Sequence, residues 1–328
     1  MLRVARVLIW PALLAAALFL YPIPYLIFGP GAAVDLNQAI VVPGRTPPPG
    51  RFYLTDVDLL PGRPAYYLVA KILPGFEIIR RRDLVPPSMS DRDLDRVLVD
   101  AMKESQTNAQ IVAERAAGLH VVATSSFVIV RAVPRSPGAR CFRTGDKIRR
   151  IDGRAINDQG MLAAVTTARP AGTTFTLSVV RDGQQHTVRC TTFRYKGKAR
   201  FGVTGAFTTE TTSLPVAVQF KLRNINGSSA GLMFALQIYR TLTGHDIAAG
   251  RDIAGTGVLA PDGGVSAIEG AREKVHAAIR AHATVFFVPR QNYADIKGTP
   301  GIDIVPVSSF SQALRALAFA QRGVSLRR

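Results

Sequence analysis

A run of 22 residues without a charged side chain, from Val7 to Phe28, most constrains how this chain can fold. Such a run is long enough to cross a bilayer as one helix. Two arginines precede it, and basic residues on that side predict a cytoplasmic N-terminus with the rest of the chain outside. A cleaved signal peptide is the alternative, although no clear A-x-A cleavage site follows. We expect residues 1–30 to form a cytoplasmic tip and a single-pass membrane anchor.

The chain is strongly basic, with 41 Lys and Arg against 23 Asp and Glu and a formal net charge of +18. Such a charge is compatible with binding to nucleic acid or to an anionic membrane surface. The basic residues are mostly dispersed, however, and the tightest groups are Arg80–Arg82 and Arg327–Arg328. For a chain outside the cytoplasm we expect an arginine-rich solvated surface and no nucleic-acid partner.

The cysteines and histidines give no pattern typical of a metal site. Two cysteines, Cys141 and Cys190, are too few for a zinc motif. Outside the cytoplasm they could form a disulfide, and two buried free thiols are equally compatible with the sequence. The five histidines show no H-E-x-x-H spacing. We therefore predict neither a metal nor another cofactor.

Beyond residue 30, composition and periodicity divide the chain into stretches of different character. Residues 31–50 are rich in Pro and Gly and predict an extended linker. Residues 51–60 alternate like a strand, and helical periodicity runs from 94 to 116. From about residue 200 strand-like and helix-like segments alternate, which indicates a mixed α/β layer fold.

The middle stretch, 118–195, has the texture of a small β-rich domain. It contains S-P-G-A at 136–139, F-x-x-G-D-K-I at 142–148, a short amphipathic helix at 158–168 and a hairpin turned by Asp182-Gly183. These residues resemble a PDZ domain. The resemblance implies that an extended peptide pairs with an exposed strand, and it leaves open whether the peptide is a C-terminus or an internal segment. We expect the peptide groove between the strand near 127–131 and the helix, with these residues in it: Phe127, Val128, Ile129, Met161, Leu162 and Val165.

The sequence N-G-S-S-A-G at 226–231 lies between a strand-like and a helix-like run. It matches the G-x-S-x-G pattern of a nucleophile elbow, and the alternative is a serine that only caps the following helix. An α/β-hydrolase would need earlier βα units, and the PDZ-like stretch occupies their place. A lysine is the other candidate base. Lys274 precedes apolar Val275, Ala278 and Ile279 on a helix, and burial there would lower its pKa, as in Ser-Lys variants of the catalytic triad.

Three segments together resemble the proteolytic domain of the Lon family, peptidase family S16. They are N-G-S-S-A-G-L-M-F-A-L-Q at 226–237, the stretch from D-I-A-G-T-G to E-K-V-H-A-A at 252–278, and A-T-V-F-F-V-P at 283–289. The resemblance implies Ser229 as nucleophile and Lys274 as its partner. It also implies supporting roles for Thr256, expected to hydrogen-bond near the lysine, and for Gly227 and Gly231 beside the serines.

The resemblance extends towards the N-terminus, because 52–59 and 101–110 resemble the opening strand and first helix of the same protease domain. We therefore expect a Lon-type domain built from 51–117 and 196–322, an inserted PDZ domain at 118–195, and a basic tail at 323–328. Over almost its full length the chain resembles the membrane-anchored PDZ/Lon-type proteins of the YlbL group. Lon-type domains often assemble as hexamers, so the resemblance also implies a homo-oligomer.

Four positions depart from the Lon pattern. Ser228 stands where the family usually has proline, and Asn226 replaces a frequent acidic residue. Glu269 occupies the first position of a common G-G pair, and Val258 stands where Lon proteases often have glutamate.

No G-x-x-x-x-G-K-[ST] phosphate loop occurs in the sequence. The expected function is therefore an ATP-independent, membrane-anchored serine endopeptidase with a Ser-Lys dyad. It would cut unfolded or flexible polypeptides outside the cytoplasm, with the PDZ domain recruiting or gating them. The alternative, which the departures at Ser228, Glu269 and Val258 favour, is a catalytically degenerate PDZ/Lon-fold scaffold acting in signalling or assembly at the membrane.

Overall fold

A computed structural model describes residues 16–73, 75–85, 90–156, 159–195, 197–222 and 225–321. A short helical segment covers 16–20. The strands follow in chain order: β1 (Tyr25–Asp35), β2 (Ile40–Val41), β3 (Arg51–Pro61), β4 (Glu77–Arg80), β5 (Val122–Ala132), β6 (Lys147–Ile151), β7 (Arg154–Ala155), β8 (Thr174–Arg181), β9 (Gln184–Thr191), β10 (Phe193–Tyr195), β11 (Lys198–Arg200), β12 (Val203–Ser213), β13 (Gln219–Phe220), β14 (Asp252–Gly255), β15 (Val258–Leu259), β16 (Val265–Ser266), β17 (Val285–Pro289) and β18 (Asp303–Val307).

The helices alternate with these strands. In chain order they are α1 (Leu36–Ala39), α2 (Pro64–Ile72), α3 (Arg81–Leu84), α4 (Asp91–Ala116), α5 (Gly138–Cys141), α6 (Gln159–Thr167), α7 (Gly231–Thr243), α8 (Ala271–Arg280), α9 (Tyr293–Ile296) and α10 (Phe310–Gln321).

The chain divides into two compact units. The first unit comprises the described parts of 1–106, 218–259 and 265–328, and the second comprises those of 107–217 and 260–264. The division falls within α4, so this helix contributes residues to both units.

The first unit is built on a six-stranded sheet in the order β18-β17-β14-β3-β1-β4. The β18-β17-β14-β3 part is parallel, whereas β1 pairs antiparallel with both β3 and β4. Every residue of β17 is buried, as expected for a parallel strand covered on both faces. Phe286 and Val288 pack with Val275 and Ala278 of α8, while Gly255 of β14 lies against Phe287 and Met233 of α7.

The predicted linker at 31–50 is wrong over its first half. Those residues continue β1 to Asp35 and then form α1 and β2, with Leu36 and Ile40 buried. The Gly-Pro-Gly at 29–31 lies within β1, at a break in the register with β3. A side chain on Gly31 would meet the Asp56 carbonyl oxygen at 2.4 Å, so glycine here permits close strand approach rather than a flexible link.

The predicted membrane segment lies partly outside the described residues, which begin at 16. Within them, its last four residues are not helical, because Tyr25 to Phe28 form the start of β1. Leu26, Ile27 and Phe28 are buried in the sheet. A run of apolar residues suits a core strand as well as a bilayer, which explains why the segment was predicted too long. No helix in the described part of the chain is both long and apolar enough to span a membrane.

The second unit is an antiparallel sheet in the order β12-β5-β6-β8-β9, with β7 beside β6. Its core joins Phe127 and Ile148 to Phe175 and Leu177, and α6 packs Leu162 against it. Cys141 and Cys190 form a disulfide, with Cα atoms 5.7 Å apart. Residues 203–213, assigned to the protease domain by sequence, pair with β5 as β12. The second unit therefore extends beyond the predicted boundary at 195.

Candidate active site

The turn that presents Ser229 is fixed by α4. Gly227 has φ of +97°, a conformation that only glycine adopts without strain. Its N–H donates to the Leu98 carbonyl at 2.9 Å. The Ser105 hydroxyl donates to the carbonyl of Ser228 at 3.1 Å. Two turns of α4 therefore position the backbone on the N-terminal side of Ser229.

The other side of the turn is fixed by α7 and the segment after β14. The N–H of Gly257 donates to the Ser229 carbonyl at 2.7 Å. A side chain on Gly231 would lie 2.9 Å from Leu259 Cβ and 3.0 Å from Ser105 Oγ, so this position has no room for one. The residue that caps α7 is Ala230, and no side chain caps the helix. The interpretation of Ser229 as a helix cap is therefore wrong.

Lys274 lies in the first turn of α8, and its side chain reaches Ser229. Nζ donates to Ser229 Oγ at 2.5 Å and to Thr256 Oγ1 at 3.4 Å. The Thr256 hydroxyl in turn donates to the Ser229 carbonyl at 3.0 Å. Lys274 and Thr256 are 3% and 1% exposed. Ser229 and Lys274 are 45 positions apart in the chain. Together with Thr256 they form one hydrogen-bonded cluster around two buried side chains.

Burial decides the charge state of this lysine. It lowers the Lys274 pKa from 10.5 to about 8, because the charged form loses its hydration, while the carboxylates of Asp56, Glu269 and Glu273 act in the opposite direction. None of them lies within ion-pair distance of Nζ. With a pKa of about 8, about a tenth of the amine is neutral at pH 7 and half at pH 8, and a base requires the neutral form.

Asp56 is a site residue that the sequence reasoning missed. It lies on β3, and burial raises the pKa of its own carboxyl. The Val57 N–H donates to Asp56 Oδ1 at 2.8 Å, which orients the carboxylate. Its only sequence signal is an acidic residue in the otherwise apolar strand F-Y-L-T-D-V at 52–57, whereas its relation to Lys274 depends on the sheet.

A groove of about 330 Å³ opens onto Ser229 and Lys274. Its walls are mainly apolar side chains from β1, β3, α3 and α4, with Ser228, Val258 and Glu269 at the same surface. Three of the four departures from the Lon pattern therefore line this groove. The apolar lining comprises Leu26, Phe28, Val57, Leu59, Leu84, Val85, Leu94, Leu98, Val258, Ala267 and Ile268.

Two stretches of the chain match models of known protein families. Residues 222–318 match the model of the Lon protease (S16) C-terminal proteolytic domain, and residues 116–192 match that of the PDZ domain. The chain contains a PDZ domain and a Lon-type proteolytic domain. This combination is consistent with a PDZ/Lon-domain protein of the YlbL type.

The Lon-type domain has curated relatives. A Lon protease from Azospirillum brasilense is 35% identical over 95 residues, which is 27% of this chain and 12% of that protein. An archaeal Lon protease from Methanocaldococcus jannaschii is 38% identical over 88 residues, 27% of this chain and 13% of that protein. The chain thus spans only about an eighth of the length of these relatives.

The PDZ domain has counterparts among solved structures. The PDZ domain of an SdrC-like protein from Listeria monocytogenes is 18% identical, covering 24% of this chain and 85% of that one, with a TM-score of 0.23. The PDZ assignment itself rests on the family match over 116–192.

The predicted peptide groove of the PDZ domain needs correction. Phe127, Val128 and Ile129 do lie on a strand, β5, but β5 is an inner strand that pairs with β12 on one side and β6 on the other. It therefore has no free edge for a peptide. The edge strands of this sheet are β12 and β9. Periodicity identifies a strand but not its place in the sheet order, which is why the sequence suggested the wrong one.

The predicted helical side of that groove falls on α6, which contains Met161, Leu162 and Val165. Leu162 and Val165 pack against the core of the second unit, which includes Phe127. The structure therefore gives Leu162 and Val165 a packing role in the PDZ domain.

Proposed function

We propose that the chain is a serine endopeptidase in which Ser229 is the nucleophile and Lys274 the general base. The observation that supports this most is the 2.5 Å contact between Lys274 Nζ and Ser229 Oγ within a buried cluster. A general base must lie within hydrogen-bond reach of the proton that it removes. A depressed lysine pKa makes the neutral amine available at that distance.

In the proposed reaction, neutral Lys274 takes the hydroxyl proton as Ser229 Oγ attacks a peptide carbonyl carbon. The carbonyl electron pair moves to the oxygen and gives a tetrahedral oxyanion. Its collapse breaks the C–N bond, and the Lys274 ammonium returns the proton to the departing amine. Water then attacks the resulting ester with the same base, and the acid product leaves Ser229 free.

The surrounding groups have assigned tasks in this proposal. A helix leaves its first N–H groups without internal partners; in α7 the Leu232 N–H donates to the Gly257 carbonyl at 3.2 Å, and we assign the N–H groups of Gly231 and Met233 to the oxyanion. Thr256 orients both Lys274 and the Ser229 backbone through its two hydrogen bonds. The negative charge of Asp56 limits how far burial depresses the lysine pKa.

The groove indicates the class of substrate. Its apolar walls favour a polypeptide that presents apolar side chains beside the scissile bond. Such side chains are accessible in unfolded or flexible segments, and the sequence has no phosphate loop for ATP-driven unfolding. We therefore assign ATP-independent cleavage of unfolded or flexible polypeptides.

The PDZ domain would recruit these polypeptides by strand addition. We assign the added strand to the edge of β12, the neighbour of β5; β9 is the other edge strand of this sheet. Binding there would raise the local concentration of a polypeptide substrate for the dyad.

We also propose that the chain is anchored in a membrane with both domains outside the cytoplasm. The uncharged run 7–24 precedes β1, its described helical segment ends at residue 20, and the two arginines before the run favour a cytoplasmic N-terminus. The Cys141–Cys190 disulfide is compatible with an oxidising compartment.

The test is cleavage of an unfolded protein such as casein by the full chain reconstituted in lipid nanodiscs. Ser229→Ala and Lys274→Met should each lower the rate by at least about 10³-fold, because the two groups act as a unit. Ser228→Ala is the matched control, because the Ser228 hydroxyl, next to Ser229 in the chain, has no assigned role. This variant should retain most activity.

Wild-type protein that does not cleave, yet binds casein as well as Ser229→Ala does, would instead support the degenerate scaffold. Equal cleavage by wild type and Ser229→Ala would reject the dyad.

A further inference from the structure

Helix α2 of the first unit exposes an apolar face. Leu68, Val69, Ile72 and Leu73 lie at i, i+1, i+4 and i+5 on this helix and its C-terminal cap. They are 51%, 40%, 78% and 52% exposed. Such a set of neighbouring large apolar residues on a protein surface typically marks a contact with a partner or a membrane.

The same face continues onto the chain that leads into β1. Phe19, Leu20 and Tyr21 are more than half exposed. They lie against α2, because the Phe19 and Tyr66 rings are 6.4 Å apart and Arg63 donates to the Leu20 carbonyl at 2.5 Å. We call the following set the apolar face: Phe19, Leu20, Tyr21, Leu68, Val69, Ile72 and Leu73.

The charged residues within α2 and its immediate flanks are basic. Arg63 precedes α2 and Lys71 lies in its last turn. Arg80 pairs with Tyr25 across β1 and β4, and the Tyr25 ring lies 5.2 Å from the ring of Tyr67 in α2. No Asp or Glu occurs in the stretches 16–34 and 59–76. Apolar and tyrosine side chains with a basic rim are typical of elements that lie in the interface of an anionic bilayer.

We propose that the apolar face docks on the surface of an anionic lipid bilayer, so that α2 lies in the interface. This rests on the membrane attachment proposed above, since Phe19–Tyr21 directly follow the uncharged residues 7–18. A second copy of the chain fits less well, because a two-fold pairing of this face would bring the same basic residues against each other.

Docking brings the candidate active site close to the membrane. Leu26, which lines the groove, is five residues from Tyr21 of the apolar face. An extended chain spans at most about 3.5 Å per residue, so Leu26 lies within about 18 Å of the docked surface. Polypeptide segments near the bilayer would therefore reach the groove first.

The test uses the full chain in vesicles of phosphatidylcholine and phosphatidylglycerol with brominated acyl chains, which quench tryptophan by contact. Trp10→Phe first removes the natural tryptophan, and each reporter is then introduced into this variant. Ile72→Trp then reports on the apolar face and Leu68→Trp is a second reporter on it. Val130→Trp, at a 59% exposed position of the second unit, is the matched control.

In vesicles, both reporters on the apolar face should emit at shorter wavelength than a tryptophan that is exposed to buffer. Bromines at the 5–10 Å depth of an interfacial helix should quench about half of their emission. Val130→Trp should be unaffected. The proposal is overturned if the chain floats with the vesicles but neither reporter is quenched. A blue shift that grows with protein concentration, without quenching, would identify a second copy as the occupant and also overturn it. A chain that does not float with vesicles contradicts the anchoring as well.

Discussion

The two units each bury a charged side chain, and they compensate it in different ways. In the second unit Asp146 is 1% exposed, and it accepts two hydrogen bonds from the Arg181 guanidinium at 2.8 and 2.7 Å. The Arg143 N–H provides a third, at 2.8 Å. Lys274 of the first unit is as deeply buried, yet its contacts are with the hydroxyls of Ser229 and Thr256.

The pKa of each group follows from this difference. Burial by itself raises the Asp146 pKa, but the hydrogen bonds and charge of Arg181 and the Arg143 N–H lower it overall. For Lys274 burial dominates, so the charged form is disfavoured. A buried charge with a full set of partners stabilises a fold, whereas one without an ion-pair partner, in a groove, is a candidate for proton transfer.

Breaking the compensated pair should have the largest effect on stability. Asp146→Asn leaves Arg181 without its counter-charge and should lower the free energy of opening of the second unit by about 3 kcal/mol. Hydrogen exchange of the β6 and β8 amides measures this. The control is Asp152→Asn, which removes a more exposed pair with Arg169 and should cost about 1 kcal/mol or less. Equal effects of the two variants would remove the distinction between the units.

The uncompensated lysine should make stability depend on pH in the alkaline range. Between pH 8 and 10.5 the unfolded lysine is protonated while the folded one is neutral, so wild-type stability should rise with pH there. Lys274→Met lacks this pH-dependent contribution to the free energy of unfolding. From pH 7.5 to 10 the wild type should gain about 2–3 kcal/mol relative to the variant, measured by urea denaturation followed by circular dichroism. Parallel curves for the two proteins would mean that the lysine pKa is not lowered.

The hydroxyl neighbour of the lysine should have the smallest effect. Thr256→Val keeps the shape but removes the hydrogen bonds to Ser229 and Lys274, and we expect about a tenfold lower kcat with little change in KM. Loss of an acceptor for the ammonium should also move the midpoint of the pH–rate profile downwards. Thr299→Val, which removes a hydroxyl bonded to the Ile296 carbonyl, should change neither. A raised KM with unchanged kcat would assign Thr256 to substrate binding instead.

The sequence predicted local features better than sheet order. The strands around Asp182-Gly183 and the helices α4 and α6 follow from turn residues and periodicity. The contact between Ser229 and Lys274 was expected from short motifs, which fix residue types but not distances. Asp56 and the groove walls were not predicted, because their proximity arises only when β1 and β3 pair.

The errors have the same origin. Leu26 and Phe28 were assigned to a membrane helix, since an uncharged apolar run has the same composition in a bilayer and in a sheet core. Phe127 and Ile129 were assigned to an open strand edge, because alternation cannot show that β12, which follows some 70 residues later, covers that edge.

The most direct test of the central claim is the pH dependence of acylation of the full chain by an activated peptide ester, with the modified residue located by mass spectrometry. We expect an ester on Ser229 that forms faster as pH rises, with a midpoint near the Lys274 pKa of about 8 and a plateau above about pH 9, where most of the amine is neutral. Lys274→Met should abolish that rise. An adduct on Ser228, or a rate that does not change from about pH 6 to 9, would contradict the Ser229–Lys274 dyad.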